Sequence, residues 1–268
     1  MQEQKQEQGQ VSLEEENPVY LTQRPHLQRT FRGKLPRIRE QHAQFWAAGS
    51  GAAADVQAYL RGDAEHRYAT GLPKWIAAST PFTRWAGPTF ASSPSALLIG
   101  NRASFDAAQY HSGPSAAGMS MVHLLCIPRA GIFNGVALDE ASVGIVDEMA
   151  ALFREAWARP EVRVAVVRHQ LAAIECRQRQ VPDEAAYVTA LGHWEELRRM
   201  VLDEDALGVD DFQFGLHLWP DHSVGHLHMH ILAAPLAYRK YSTSHHDEKT
   251  KDVFEVRDYI KSLFPRDA

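Results

Sequence analysis

Cysteine is nearly missing from this sequence: Cys126 and Cys176 are the only two in 268 residues. Neither lies in a CxxC pair. Two such thiols cannot build a disulfide framework or a four-cysteine zinc site, and their scarcity suits a reducing compartment. An excess of positive charge is also lacking. Twenty-eight Lys and Arg face thirty-three Asp and Glu, for a net charge of -5, so no global basic field draws the chain onto nucleic acid, although a local basic cleft stays open. No run approaches the roughly 18 apolar residues that a membrane helix needs. The opening "MQEQKQEQGQVSLEEENP" has no apolar stretch of the kind found in a secretory leader. These absences predict a soluble protein of the cytoplasm, with the nucleus as the alternative, and no membrane partner.

What is present is ordinary globular material, 45% hydrophobic and 23% charged, long enough for one large domain or two small ones. Residues 1–30 are rich in Gln and Glu and hold few apolar anchors, which predicts a disordered polar arm. The remainder, 31–268, reads as a single domain. Residues 37–62 look helical with an interruption at "GSG" (49–51), and 63–95 read as irregular structure packed through Trp75 and Trp85. "SALLIGN" (95–101) and "SMVHLLCIP" (120–128) read as strands, the first closed by a turn signal at Asn101 and the second ended by Pro128. Asp139 reads as the N-cap of a helix carrying Val143, Val146, Met149, Ala150, Phe153 and Trp157 at helical spacing. Helices over 161–180 and from Pro182-Asp183 to about Leu202 follow. "FQFGLHLWP" (212–220) and "GHLHMHILAAP" (225–235) read as an antiparallel hairpin, and 247–264 as an amphipathic C-terminal helix. This order of elements predicts an α+β fold rather than a doubly wound sheet.

The most informative stretch is "VGHLHMHIL" (224–232), with His226, His228 and His230 at alternate positions. In a strand, residues two apart share a face, so the three imidazoles form a working face while Leu227, Met229 and Ile231 face the core. A polar solvent face is the bland alternative, but imidazole has no strand propensity that explains three in register, beside His217 and His222. A metal site is a second alternative. The outer pair sits about 13 Å apart at Cα, so one ion cannot take all three without further ligands such as His123, Asp221 or His222. The third reading is nucleophilic catalysis on phosphorus. Neutral imidazole holds a lone pair near pH 7, attacks a phosphoryl centre and departs readily, while neighbouring donors steady the oxygens. That reading needs the rings gathered in a cleft that admits an anion.

"SVGHLHMHIL" resembles the signature of the histidine triad (HIT) superfamily, His-φ-His-φ-His-φ-φ with φ apolar, and matches it from His226 to Leu232. "HLLCIPR" (123–129) resembles the family's other marker. "GLHLWP" (215–220) is similar to the strand before the triad in the decapping-scavenger and aprataxin-like branches. The resemblance covers about residues 95–240. It implies a HIT-like antiparallel sheet flanked by helices, here with extra N-terminal and C-terminal helical segments. It implies a hydrolase or nucleotidyl transferase that cleaves a phosphoanhydride, phosphoester or phosphoramidate bond through a covalent histidine intermediate, with no cofactor and no metal.

By that resemblance His228 is the nucleophile, His226 orients it largely through its backbone carbonyl, and His230 and His123 contact phosphate oxygens or support the site. Ser223, His222, His217 and Arg129 fall on the substrate side. The implied partner is a small phosphorylated or nucleotide-like substrate, with nucleic acid only as a capped or adenylylated end, and a homodimer as one option. The chain departs from the family pattern at His222, where glutamine is common, at Gly131, where a second histidine is common, and at Ser115, where an acidic ribose contact is common. The catalytic strand is kept and the nucleoside pocket altered. Two other readings of the same cluster are acid-base chemistry on a non-nucleotide metabolite and a degenerate binding protein. "RKYSTSHHDEK" (239–249) reads as a solvated loop, with closure over an anionic substrate through residues such as Arg239 and Lys249 as the functional alternative.

Overall fold

The structure is a computed structural model. It describes residues 30–61, 89–101, 119–204, 206–222, 224–239 and 244–264. The expected polar arm before residue 30 lies outside these residues, as do the irregular segment with Trp75 and Trp85, Ser115 and Ser223.

The helical expectation for the N-terminal part holds in two pieces, α1 (Leu35–Trp46) and α2 (Ala52–Arg61). Gly49 and Gly51 between them sit at positive φ, 75° and 80°, where a side chain would be strained. The strands are β1 (Thr89–Ser92), β2 (Ala96–Gly100) and β3 (His123–Pro128). Three helices follow: α3 (Ile145–Trp157), α4 (Pro160–Gln180) and α5 (Glu184–Arg198). Then come β4 (Phe212–His217) and β5 (Met229–Ala233). The chain closes with α6 (Ser244–Lys249), β6 (Thr250–Asp252) and α7 (Val253–Ser262). Among the described residues the strands make one open, wholly antiparallel sheet in the order β1-β2-β3-β5-β4-β6. The α+β class follows directly.

Period-two alternation sorts the sheet into two faces. Leu124 and Cys126 of β3, Met229 and Ile231 of β5, and Phe214 and Leu216 of β4 enter the main core with Val146, Met149 and Phe153 of α3. The partners His123↔Leu232, Leu125↔His230 and Gly215↔His230 fall on the opposite face. Leu227 joins the main core although it precedes the strand, so the apolar half of the triad motif is buried as its pattern predicts.

Several boundaries differ from the sequence expectation. Asp139 does not cap α3. Its carboxylate accepts from the Ser142 amide at 2.9 Å and closes a turn, and the helix begins only at Ile145, after Ser142 and Gly144, two weak helix formers. The expected strand over 225–235 is shorter and begins at Met229. Residues 226–228 leave the ladder because the Leu227 amide donates to the Ile132 carbonyl at 2.8 Å and because Pro128, at the end of β3, has no N–H to give. β4 and β5 are therefore joined by the long connection 218–228, not a tight turn. The expected helix 247–264 is broken by β6. Asp252 accepts from the Phe254 and Glu255 amides at 2.9 and 3.0 Å and starts α7 afresh. β1 was not expected.

Candidate functional site

Five histidines converge on the sheet face opposite the main core. β3 supplies His123, β4 supplies His217 and β5 supplies His230, with His228 one residue ahead of β5. Ring centroids lie 4.2 Å apart for His217 and His230, 4.8 Å for His228 and His230, and 5.2 Å for His123 and His230. His226 stands at the edge of this group and is used on both ring nitrogens. Nε2 lies 3.0 Å from the Pro128 carbonyl and Nδ1 lies 2.9 Å from the Tyr59 hydroxyl. A carbonyl only accepts, so Nε2 carries the proton and Nδ1 accepts from Tyr59.

The same logic fixes other tautomers. His228 Nδ1 lies 2.7 Å from the His226 carbonyl oxygen. Nδ1 must donate, so the neutral ring carries its lone pair on Nε2. Thr250 Oγ1 donates to the His246 carbonyl at 2.6 Å and lies 3.0 Å from His217 Nε2, so His217 donates to it from Nε2. The Asn101 amide nitrogen lies 3.1 Å from both ring nitrogens of His123, and His123 Nε2 lies 2.9 Å from His230 Nδ1. An amide N–H can only donate. Asn101 can donate to either His123 nitrogen; donation to Nδ1 leaves Nε2–H to donate to His230 and puts the remaining proton on His230 Nε2. That nitrogen is buried and has no hydrogen-bond partner in the structure.

Burial dominates the electrostatics. Desolvation lowers all five pKa values, to about 3 for His123 and about 4 for His226. His217 and His230 fall well below the ordinary value, and His228 falls too, partly offset by its bond to the His226 carbonyl. The rings are neutral at pH 7. The Lys249 ammonium depresses His217, His228 and His230 further. Among the described residues no set of three or more His, Cys, Asp or Glu is arranged to hold a metal ion.

Among the described residues the rings are largely covered. His228 and His230 are each 7% exposed. β6 pairs along β4 and brings Thr250 onto His217, and Arg239 and His246 approach closely enough to depress His123.

The other predicted residues spread out. Arg129 donates from Nε to the Ser93 carbonyl at 2.9 Å and so holds the β1–β2 turn. His222 packs edge-on against Phe133, 5.4 Å between centroids. Trp219 and Trp194, which could have stacked a base, donate instead to Asp55 and the Val167 carbonyl. Ser223 lies outside the described residues. The sequence reading missed Tyr59, Asn101 and Thr250 as site residues. Asn101 was visible only as a turn signal, and Tyr59 and Thr250 reach the histidines from elements far away in sequence. No helix among the described residues is long and apolar enough to cross a membrane. No protein-family model matches the chain, and no curated protein shows significant similarity to it.

Proposed function

We propose that the chain is a HIT-type hydrolase or nucleotidyl transferase in which His228 attacks phosphorus. Nε2 forms a P–N bond as the bond to the leaving group breaks, and that bond's electron pair departs with the leaving oxygen or nitrogen, which is protonated. Water or another acceptor then breaks the P–N bond and regenerates the ring. The observation that carries this reading is the 2.7 Å contact from His228 Nδ1 to the His226 carbonyl, which aims the lone pair away from the backbone. The unbroken His226–Leu227–His228–Met229–His230 run supports it, as does a proton affinity lowered by burial, which favours the neutral, nucleophilic ring. The substrate class is a phosphoanhydride, phosphoester or phosphoramidate, and the chemistry needs no cofactor.

The test uses the full chain with EDTA present. A labelled dinucleoside polyphosphate, a cap dinucleotide and a nucleoside phosphoramidate are offered in turn. Turnover of one of them is expected, with loss of at least about a thousandfold in His228→Ala at unchanged folded content, as befits removal of a covalent nucleophile. Unchanged turnover in that variant ends the mechanism. The low exposure of the rings favours a second reading, a binding protein without turnover. Measured affinity for a phosphorylated ligand with no product from any of the three substrates selects it.

A further inference from the structure

Among the described residues Lys249 is a cation without a counter-ion. It ends α6 one residue before Thr250 and is half-buried. No described residue forms a hydrogen bond or ion pair with its ammonium. The carboxylate that acts on it at longer range, Asp221, is already held by Arg37 at 3.3 Å and by Gln41 at 3.1 Å. Its sequence neighbour Thr250 lies 3.0 Å from His217 Nε2, and the His217 ring lies 4.2 Å from that of His230, so Lys249 adjoins the histidine cluster. It acts on His217, His228 and His230 together, and those rings are neutral and offer it no negative charge. Burying an ammonium in such company costs free energy unless an anion joins it.

A second, independent observation points to the same space. His230 is 7% exposed, and its Nε2 is buried with no partner. In the tautomer whose Nδ1 accepts from His123, that nitrogen carries the ring proton and is a donor without an acceptor. A polar atom buried without a partner costs free energy, and a phosphoryl oxygen beside that nitrogen and the ammonium would satisfy both. The neighbourhood is built to hold Lys249 there. β6 is registered on β4 through His217↔Thr250, Gly215 lacks the Cβ that would strike Thr250, and the fully buried Arg239–Asp247 ion pair ties α6 to the preceding turn.

We propose that Lys249 and His230 Nε2 form an oxyanion subsite that binds the phosphoryl oxygens of the substrate. This rests on the phosphorus chemistry assigned to His228 and specifies which residues take up the charge. It adds a residue from outside the triad motif, delivered by the end of α6 just before β6. A neutral metabolite has no use for it.

The test separates binding from chemistry by using inorganic phosphate with the full-length protein, followed through the histidine ring resonances of labelled samples. Phosphate is expected to shift His228 and His230 in the wild type. Lys249→Met should weaken that binding about ten- to hundredfold, the loss expected for one charge-assisted hydrogen bond, and Lys249→Arg should restore most of it. Equal affinity in Lys249→Met overturns the role of Lys249, and so does rescue that fails in a folded Lys249→Arg. Absence of any phosphate effect on the wild-type rings overturns the subsite itself. His228→Ala is expected to bind phosphate with little change. If that variant also keeps its turnover, the nucleophile assignment falls while the subsite result stands.

Discussion

Acid should destabilise this protein well above the pH at which carboxylates titrate. His226 shows why. Buried between Pro128 and Tyr59, its ring has a pKa of about 4 against an ordinary 6.5. The unfolded chain therefore binds a proton that the folded chain refuses. Its contribution is complete above pH 6.5 and is lost as pH falls, until the folded ring itself takes a proton near pH 4. Between pH 7 and pH 5 the loss is about 2 kcal/mol from this ring alone. His123, His217, His228 and His230 act in the same direction, so the sum takes a large share of a typical stability of about 5–15 kcal/mol. Urea unfolding at pH 7, 6 and 5 measures it. His226→Gln keeps an N–H for the Pro128 carbonyl and removes the titration, so its stability should fall by about 2 kcal/mol less over that range. A flat wild-type profile, or the same slope in wild type and His226→Gln, refutes the reasoning.

Two further perturbations probe the supports of the site. Gly215→Ala places a Cβ against Thr250 Cγ2 and the Phe31 ring. It should cost about 1–3 kcal/mol by overpacking in chemical denaturation, and should move the His217 ring resonance as Thr250 shifts. Arg239→Ala removes the guanidinium that pairs with the fully buried Asp247 side chain. It should cost about 3–5 kcal/mol, while replacing both residues by leucine should recover most of the loss, again read from denaturation midpoints.

The sequence made the arrangement of the histidine face legible because alternation has a direct structural meaning. Leu227, Met229 and Ile231 had to share the core, so the intervening imidazoles had to face elsewhere. Asp183 was legible as the cap of α5 for the same kind of local reason, and its side chain does accept from the Ala186 amide. Contacts of high sequence separation were not legible. Tyr59 meets His226 across 167 positions, and nothing local in "AYLR" announces it. Thr250 looked helical because its neighbours are good helix formers, yet cross-strand pairing with His217 outweighed propensity. The capping spacing of Asp252 and Glu255 was the available clue to a break before α7. Glu255 spends its carboxylate instead on the Gly33 and Lys34 amides. Closure of the site was the least legible feature, since composition says little about which surface segment folds back over which face.

His228 occupies a seam. Its neighbour Met229 pairs with Cys126, and β5 continues between two strands in the middle of the sheet. The carbonyl that aims the ring belongs to His226, in a stretch anchored by the Leu227–Ile132 bond rather than by the ladder. The ring is thus tethered to a girder of paired strands on one side and steered on the other from a stretch held outside the ladder. Substitutions around Ile132, remote from every imidazole in the primary structure, should re-aim the ring while leaving the girder untouched.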